Sequence, residues 1–216
     1  MMAFIGSIDP SWTDMSKYVV HFAKEDHRRT AYDNAISILY RRRIVAANAF
    51  GAGRKLAPAR KSVCFSEVPL HHLKRLADIR SPHGIGFRKE FIVERGGGPI
   101  LYAYKDTPQA MAIKSMVNAA ASAPNSAVWQ LASFVDLPGT YGSSTYLYEW
   151  EREWRHVGDL DFSVTDPAFL IIPEHLHEAA RGFFHSAKVD DVGPSYECPF
   201  IDPYWGEDKI AAALYG

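Results

Sequence analysis

Acidic residues occupy every second position in one short segment of this sequence. Glu149, Glu151 and Glu153 alternate with aromatic and basic residues, and Arg155 follows at the same spacing. Residues two apart share a face of a β-strand, so a strand over 145–156 would align the three carboxylates roughly 7 Å apart. Carboxylates so placed repel one another, and Arg155 or a cationic substrate would relieve that repulsion. The pattern indicates either a catalytic site at Glu151 and Glu153 or a solvated strand face lined by salt bridges.

Two further polar residues lie in apolar surroundings that predict strands. His21 stands among tyrosine, valine and phenylalanine within 17–23, where it is either a core residue or a donor to a ribose or phosphate group. Ser66 ends the predicted strand 62–66, just before Pro69, and strand-to-helix junctions often line clefts. The histidines and cysteines have no metal-ligand spacing, so we expect no metal site.

The elements that must position these residues follow from local signals. Thr30 and Asp33 form a capping box that predicts a helix over 30–42, and Thr107 with Pro108 predicts a helix reaching about residue 122. Other segments are predicted as strands over 84–95 and 100–104 with a hairpin turn at 96–99 between them, a helix from 124 to 136, a strand over 168–172 and helices over 173–185 and 208–215. This order predicts an α+β fold with flanking helices and a mixed, mostly antiparallel sheet.

Length and composition favour one domain over 1–216, with a core at about 17–188 and a tail at 189–216. Asp9 and Pro10 interrupt the first apolar stretch, which argues against a signal peptide, and no apolar run approaches the length of a membrane span. Cys64 and Cys198 form no disulfide framework. We therefore expect a cytoplasmic protein without membrane contact.

Several segments together resemble a bacterial family. These are YVVHF at 18–22, ISILY at 36–40, VCFSEVPL at 63–70 and GIGFRKEF at 84–91. In combination they are similar to AbiGi-type proteins, over roughly residues 17–175. The resemblance implies a role in abortive infection, a form of phage defence, as an antitoxin with a cognate toxin as partner.

A more distant resemblance is to the ADP-ribosyltransferase fold. It is carried by a first strand with a histidine, a second strand ending in serine and a late Glu-x-Glu. It implies that His21 and Ser66 bind NAD, and that Glu151 and Glu153 form the catalytic motif, with Glu153 stabilising the cationic sugar as nicotinamide leaves. The tyrosine pair that better-defined members carry after the second strand is missing here.

Three functions stay open from the sequence. The first is an ADP-ribosyltransferase-like protein of phage defence that uses NAD. The second is a non-catalytic antitoxin of the same fold that binds a toxin. The third is a nucleic-acid-binding module, because residues 1–62 carry 11 basic against 5 acidic residues.

Overall fold

The computed structural model describes residues 16–67, 69 and 72–215. The α-helices are α1 (Ala31–Arg41), α2 (Leu73–Ile79), α3 (Lys89–Glu94), α4 (Pro108–Ala119), α5 (Val128–Ala132), α6 (His177–Val189) and α7 (Glu207–Tyr215). The strands are β1 (Tyr18–Phe22), β2 (Arg43–Ile44), β3 (Asn48–Ala49), β4 (Lys61–Ser66), β5 (Gly84–Arg88), β6 (Gly98–Pro99), β7 (Leu101–Tyr102), β8 (Val135–Asp136), β9 (Gly139–Tyr141), β10 (Ser144–Tyr146), β11 (Glu153–Val157), β12 (Leu160–Asp161), β13 (Pro167–Ile171) and β14 (Phe200–Ile201).

Antiparallel pairing dominates these strands. β1 with β5, β5 with β13, β4 with β11, and β9 with β10 are antiparallel, whereas β13 with β14 and β7 with β8 are parallel. The predicted α+β class is therefore confirmed. Among the described residues, no helix is both long enough and apolar enough to span a membrane.

The chain divides into two compact units. Unit 1 draws its described residues from 16–43, 67–91 and 161–215, and unit 2 comprises 44–66 and 92–160. The prediction of one domain over 1–216 stays a prediction.

Unit 1 places strands in the order β14, β13, β5, β1. Its core is an apolar cluster that includes Tyr18, Phe22, Leu73 and Phe169. Gly86 is required here, because a Cβ at that position would lie 2.3 Å from the Phe169 ring. The close packing of β13 on β5 therefore depends on the missing side chain.

Helix α1 of unit 1 begins as the sequence predicts. The Thr30 side chain accepts a hydrogen bond from the Asp33 backbone N–H, and the Asp33 carboxylate accepts one from the Thr30 N–H. These two bonds satisfy N–H groups that have no partner within the helix. The helix ends at Arg42, which adopts a left-handed conformation with φ of 53°.

Unit 2 pairs β11 with β4 on one side and with β6 on the other. The Thr107 hydroxyl accepts from the Ala110 N–H at the start of α4, as predicted. Helix α5 is shorter than the predicted 124–136, and its Trp129 packs with Val117 and Ala120 in the core of the unit.

Two sequence predictions around residues 84–104 are wrong. The strand predicted over 84–95 stops at Arg88, and α3 begins at once. Phe87 and Phe91, which also fit helical spacing, stack with ring centroids 5.1 Å apart. The predicted hairpin at 96–99 is replaced by β6, which pairs with β11. Gly97 permits this approach, because a Cβ there would lie 2.8 Å from the Arg155 carbonyl oxygen.

Candidate functional site

The strand predicted over 145–156 is broken in the structure. β10 ends at Tyr146, residues Glu149–Glu151 form one turn of 3-10 helix, and β11 begins at Glu153. Arg152 between them has φ of 45°, a left-handed conformation that ends any alternation of faces. The expected row of three carboxylates on one strand face is therefore wrong, and each glutamate has its own surroundings.

Glu153 and Ser66 come together across two strands of unit 2. Glu153 opens β11 and is the direct antiparallel partner of Ser66 at the end of β4. Side chains of directly opposed residues have Cβ atoms about 5 Å apart. Ser66 is buried and Glu153 half-buried. The structure thus brings together two of the residues that the sequence assigned to one site.

His21 and Glu151 lie elsewhere in their units. His21 is half-buried on β1 of unit 1, opposite Ile85 on β5. Glu151 is buried in the 3-10 turn of unit 2, where its backbone N–H donates to the Tyr148 carbonyl oxygen. A shared cleft for His21, Ser66 and Glu153, and a catalytic role for Glu151, both stay predictions.

Arg155 is the centre of a buried polar cluster in unit 2, the arginine network of Arg155, Glu153, Asp136 and Tyr146. The Arg155 side chain is only 1% exposed. Its Nε and Nη2 donate to the two oxygens of Glu153 at 2.8 and 3.0 Å, and Nη2 also reaches Asp136 Oδ2 at 3.3 Å. Nη1 donates to the Ser133 carbonyl oxygen at 2.7 Å. Both oxygens of Glu153 are thus engaged by one guanidinium.

The electrostatics of the arginine network follow from burial and charge. Burial by itself lowers the pKa of Arg155, but its hydrogen bonds to Glu153 and the charges of Glu153 and Asp136 outweigh this and raise the pKa above its ordinary value. Burial raises the pKa of Tyr146, and its hydrogen bond to Asp136 raises it further. Arg155 and Tyr146 therefore both keep their protons across neutral pH.

Burial also raises the pKa values of two neighbouring groups, Tyr102 and Cys64. Burial raises the pKa of Tyr102 to about 12, and its hydroxyl accepts a hydrogen bond from the Glu153 backbone N–H at 3.2 Å. Burial, followed by the charge of Glu153, raises the pKa of the Cys64 thiol. Cys64 therefore stays a protonated thiol and is a poor nucleophile.

An aromatic surface borders this network, made of Tyr104, Tyr141, Tyr148 and Trp150. Each of these rings is between 39% and 50% exposed. The Tyr148 ring lies 6.5 Å from Trp150 and 4.7 Å from Tyr146, a member of the arginine network. The Tyr104 hydroxyl donates to Glu149, and the Lys105 ammonium lies 5.1 Å from the centre of the Tyr141 ring. Polar contacts therefore position Tyr104 and Tyr141, and ring contacts join Tyr148 to Tyr146 and Trp150.

Sequence reasoning missed most of the arginine network. It identified Arg155 as a partner for the acidic segment, and the bond to Glu153 bears this out. It did not identify Asp136 or the Ser133 carbonyl, which precede Arg155 by 19 and 22 residues. No local signal marks Asp136 as a partner of Arg155, because the contact is made by the tertiary structure. Among the described residues, no group of three or more histidine, cysteine or acidic side chains could hold a metal ion.

Comparison with known proteins identifies a family. Residues 46–182 match the family model described as "Putative abortive phage resistance protein AbiGi, antitoxin". The chain belongs to this family. That membership confirms the first resemblance and makes the chain an antitoxin-type protein of phage defence by abortive infection. No curated protein and no solved structure matches it, so the likeness to the ADP-ribosyltransferase fold is not supported.

The family match includes the whole arginine network and the whole aromatic surface. Both lie between residues 104 and 155, well inside the matched segment. His21 lies before that segment, whereas Ser66, Glu151 and Glu153 lie within it. The matched segment thus contains both features, together with residues 67–91 and 161–182 of unit 1.

Proposed function

We propose that this chain is a non-catalytic antitoxin that binds its cognate toxin protein through the aromatic surface. The observation that carries the proposal is a set of exposed tyrosine and tryptophan rings that contact one another and neighbouring polar side chains. Such rings contribute large contact areas at low entropic cost, and Tyr and Trp are the residues enriched at the energetic centres of protein interfaces.

The arginine network supports a structural role for Glu153. A carboxylate stabilises a cationic transition state through its negative charge, and an ion pair with a guanidinium offsets much of that charge. Both oxygens of Glu153 accept from Arg155, whose guanidinium lies over the Phe50 ring at 5.3 Å. The pair fixes the start of β11, next to the turn that carries Trp150. In this proposal Glu153 stabilises the structure beneath the aromatic surface and has no catalytic role.

Co-expression tests the proposal. The toxin is taken as the protein encoded by the gene adjacent to this one, and cell growth is followed with and without this chain. We expect the wild-type chain to restore growth and to bind the purified toxin in titration calorimetry. Trp150→Ala and Tyr148→Ala should each weaken binding by about 2 kcal/mol or more, the range of interface hot spots.

Tyr204→Ala is the matched control for Tyr148→Ala. Tyr204 belongs to unit 1 and is 49% exposed, against 42% for Tyr148, so the two substitutions remove similar amounts of exposed ring. We expect Tyr204→Ala to bind the toxin like the wild type. Equal losses from both substitutions, or growth that the wild-type chain does not restore, would refute the proposal.

An NAD-dependent ADP-ribosyltransferase is a second candidate, favoured by one observation. Glu153 stands directly opposite Ser66, so the residues to which the resemblance assigns the catalytic and nicotinamide-site roles are neighbours. Titration calorimetry with NAD, together with an NAD-consumption assay, separates the two candidates. Binding and consumption that disappear in Ser66→Ala, in a protein that still melts like the wild type, would favour the transferase. No heat at millimolar NAD would count against it.

A further inference from the structure

A groove crosses unit 1 between two helices and the segment that follows the second. It is lined by Ile36 and Tyr40 of α1, by Phe184 and Ala187 of α6, and by Val192 beyond α6. Its volume is about 300 Å³. That is the lower limit of pockets that enclose whole small ligands, so it suits a few anchoring side chains better than a cofactor.

The floor of the groove is rigidly held. Phe184 is buried, and its ring packs 5.3 Å from Tyr196, whose hydroxyl donates to the Leu39 carbonyl oxygen of α1 at 2.6 Å. Arg181 donates to the carbonyl oxygens of Tyr196 and Cys198 at 3.0 and 2.9 Å. These bonds tie the segment after α6 to both helices, so the groove is formed before any ligand arrives.

The chain also turns sharply at the end of α6. The N–H groups of Val192 and Gly193 both donate to the Ala187 carbonyl oxygen, and Asp191 between them and the helix has φ of 53°. This turn places Gly193 next to Tyr40. A Cβ added at Gly193 would lie 3.4 Å from the Tyr40 ring. The turn therefore forms one wall of the groove and α1 the other.

Large apolar side chains are exposed at the mouth. Tyr40, Phe183 and Val192 are 59%, 51% and 63% exposed. A preformed apolar groove with such a rim is the feature that binds the apolar face of an amphipathic helix in many complexes.

Charge distinguishes the two sides of the groove. Arg41 and Arg42 are exposed directly after Tyr40, at the end of α1. Asp190 lines the opposite side and Asp191 follows it, and both are exposed. A helix that complements both sides carries acidic residues on the flank toward α1 and basic residues on the flank toward Asp190.

The groove and the aromatic surface are built from different parts of the sequence. The groove residues lie before position 46 or after position 182, whereas the aromatic surface lies between residues 104 and 150. The two surfaces can therefore be tested separately by substitution.

We infer that the groove binds an amphipathic helix of the toxin, with acidic residues on one flank and basic residues on the other, as a second contact separate from the aromatic surface. The inference rests on the proposed antitoxin function. It assigns the contact to residues that neither the arginine network nor the aromatic surface includes.

The test compares Val192→Glu with Val189→Glu by calorimetry against the purified toxin, with thermal melts of each variant. Both valines are exposed, at 63% and 67%, but Val189 does not belong to the lining of the groove. A glutamate at 192 brings a charge to an apolar contact that must lose water, so we expect at least about a tenfold loss of affinity. Val189→Glu should stay within about twofold of the wild type, a difference of less than 1 kcal/mol.

Synthetic 20-residue peptides that tile the toxin sequence identify the bound segment. We expect binding by a peptide with the predicted apolar stripe and charged flanks, and loss of that binding in Val192→Glu. Full toxin affinity in Val192→Glu, or equal losses in both variants, overturns the groove assignment while leaving the antitoxin function intact. A wild type that binds no toxin overturns the antitoxin function and this inference with it. Light scattering that shows a dimer disrupted by Val192→Glu would identify a second copy of the chain as the occupant instead.

Discussion

Two arginine–carboxylate pairs in this protein have the same chemistry and nearly the same geometry. In unit 2, Arg155 binds Glu153 through Nε and Nη2, and in unit 1, Arg43 binds Asp161 through the same two nitrogens. The side chains of the first pair are 1% and 16% exposed, and those of the second are 49% and 65% exposed. The largest difference between the two pairs is therefore the burial of their side chains.

Burial changes what each pair does for the molecule. A surface pair gains little, because water and salt screen it and two long side chains must be ordered. A buried pair adds little over an apolar replacement of both partners, but losing one partner leaves an uncompensated charge in the interior. Arg155 also donates hydrogen bonds to Asp136 and to a backbone carbonyl oxygen, so several buried groups depend on it. The buried pair is expected to fix the local structure and the exposed pair to be dispensable.

The largest expected effect is that of Arg155→Met. The substitution keeps much of the side-chain volume but leaves Glu153 and Asp136 without their cation. We expect a loss of about 3–5 kcal/mol in the free energy of unfolding, measured by urea denaturation. Arg43→Met is the control, and we expect no measurable change. Both urea denaturations are repeated in 1 M salt. The destabilisation by Arg155→Met should persist there, because salt screens buried charges only weakly. Equal destabilisation by the two variants would contradict the comparison.

An intermediate effect is expected for Glu153→Gln. Glutamine keeps one oxygen acceptor but removes the charge that Arg155 binds, so we expect a loss of about 1–3 kcal/mol in unfolding free energy. From the sequence alone the same change would be neutral or stabilising, because it relieves repulsion among three aligned carboxylates. Glu197→Gln, in the exposed pair with Lys188, is the control and should melt like the wild type. An unchanged melting temperature in Glu153→Gln would contradict a stabilising role for the charge of Glu153.

The smallest effect concerns the pH dependence of the exposed pair. Hydrogen bonds from Arg43 lower the pKa of Asp161 below the ordinary value of 3.8. Because the folded-state pKa is depressed, the small stabilisation is present above the unfolded pKa and is lost as pH falls through the folded value. NMR titration of the Asp161 carboxyl carbon should give a midpoint below 3.8, which returns toward 3.8 in Arg43→Met. An unchanged midpoint in the variant would mean that the ion pair does not form in solution.

The sequence predicted elements well where the signals are local. Helix α1 begins at the capping box of Thr30 and Asp33, and α4 begins at Thr107 and Pro108, as expected. The segment after Gly84 was misread because Phe87 and Phe91 fit both an alternating strand and one helical turn. A short apolar segment does not separate these two periods.

The acidic segment failed for a different reason. Its alternation was real in the sequence, but Arg152 takes a left-handed conformation that arginine rarely adopts. Nothing in the residue type announces that conformation, as a glycine or asparagine would. Glu153 therefore lies beside Arg155 and Ser66, but not in the row of aligned carboxylates that the alternating sequence predicted.

The sequence by itself determined three things. They are the helices and strands that capping residues and apolar periodicity mark, the α+β class, and the family to which the chain belongs. The helices and strands, and so the class, depend on residues within a few positions of one another. The family follows from the residue types along the chain. Only the tertiary structure decided that Arg155 would be buried with two carboxylates while Arg43 would bind its aspartate in water. The free energy of an ion pair depends on the solvent around it, and that solvent is excluded by residues far away along the chain.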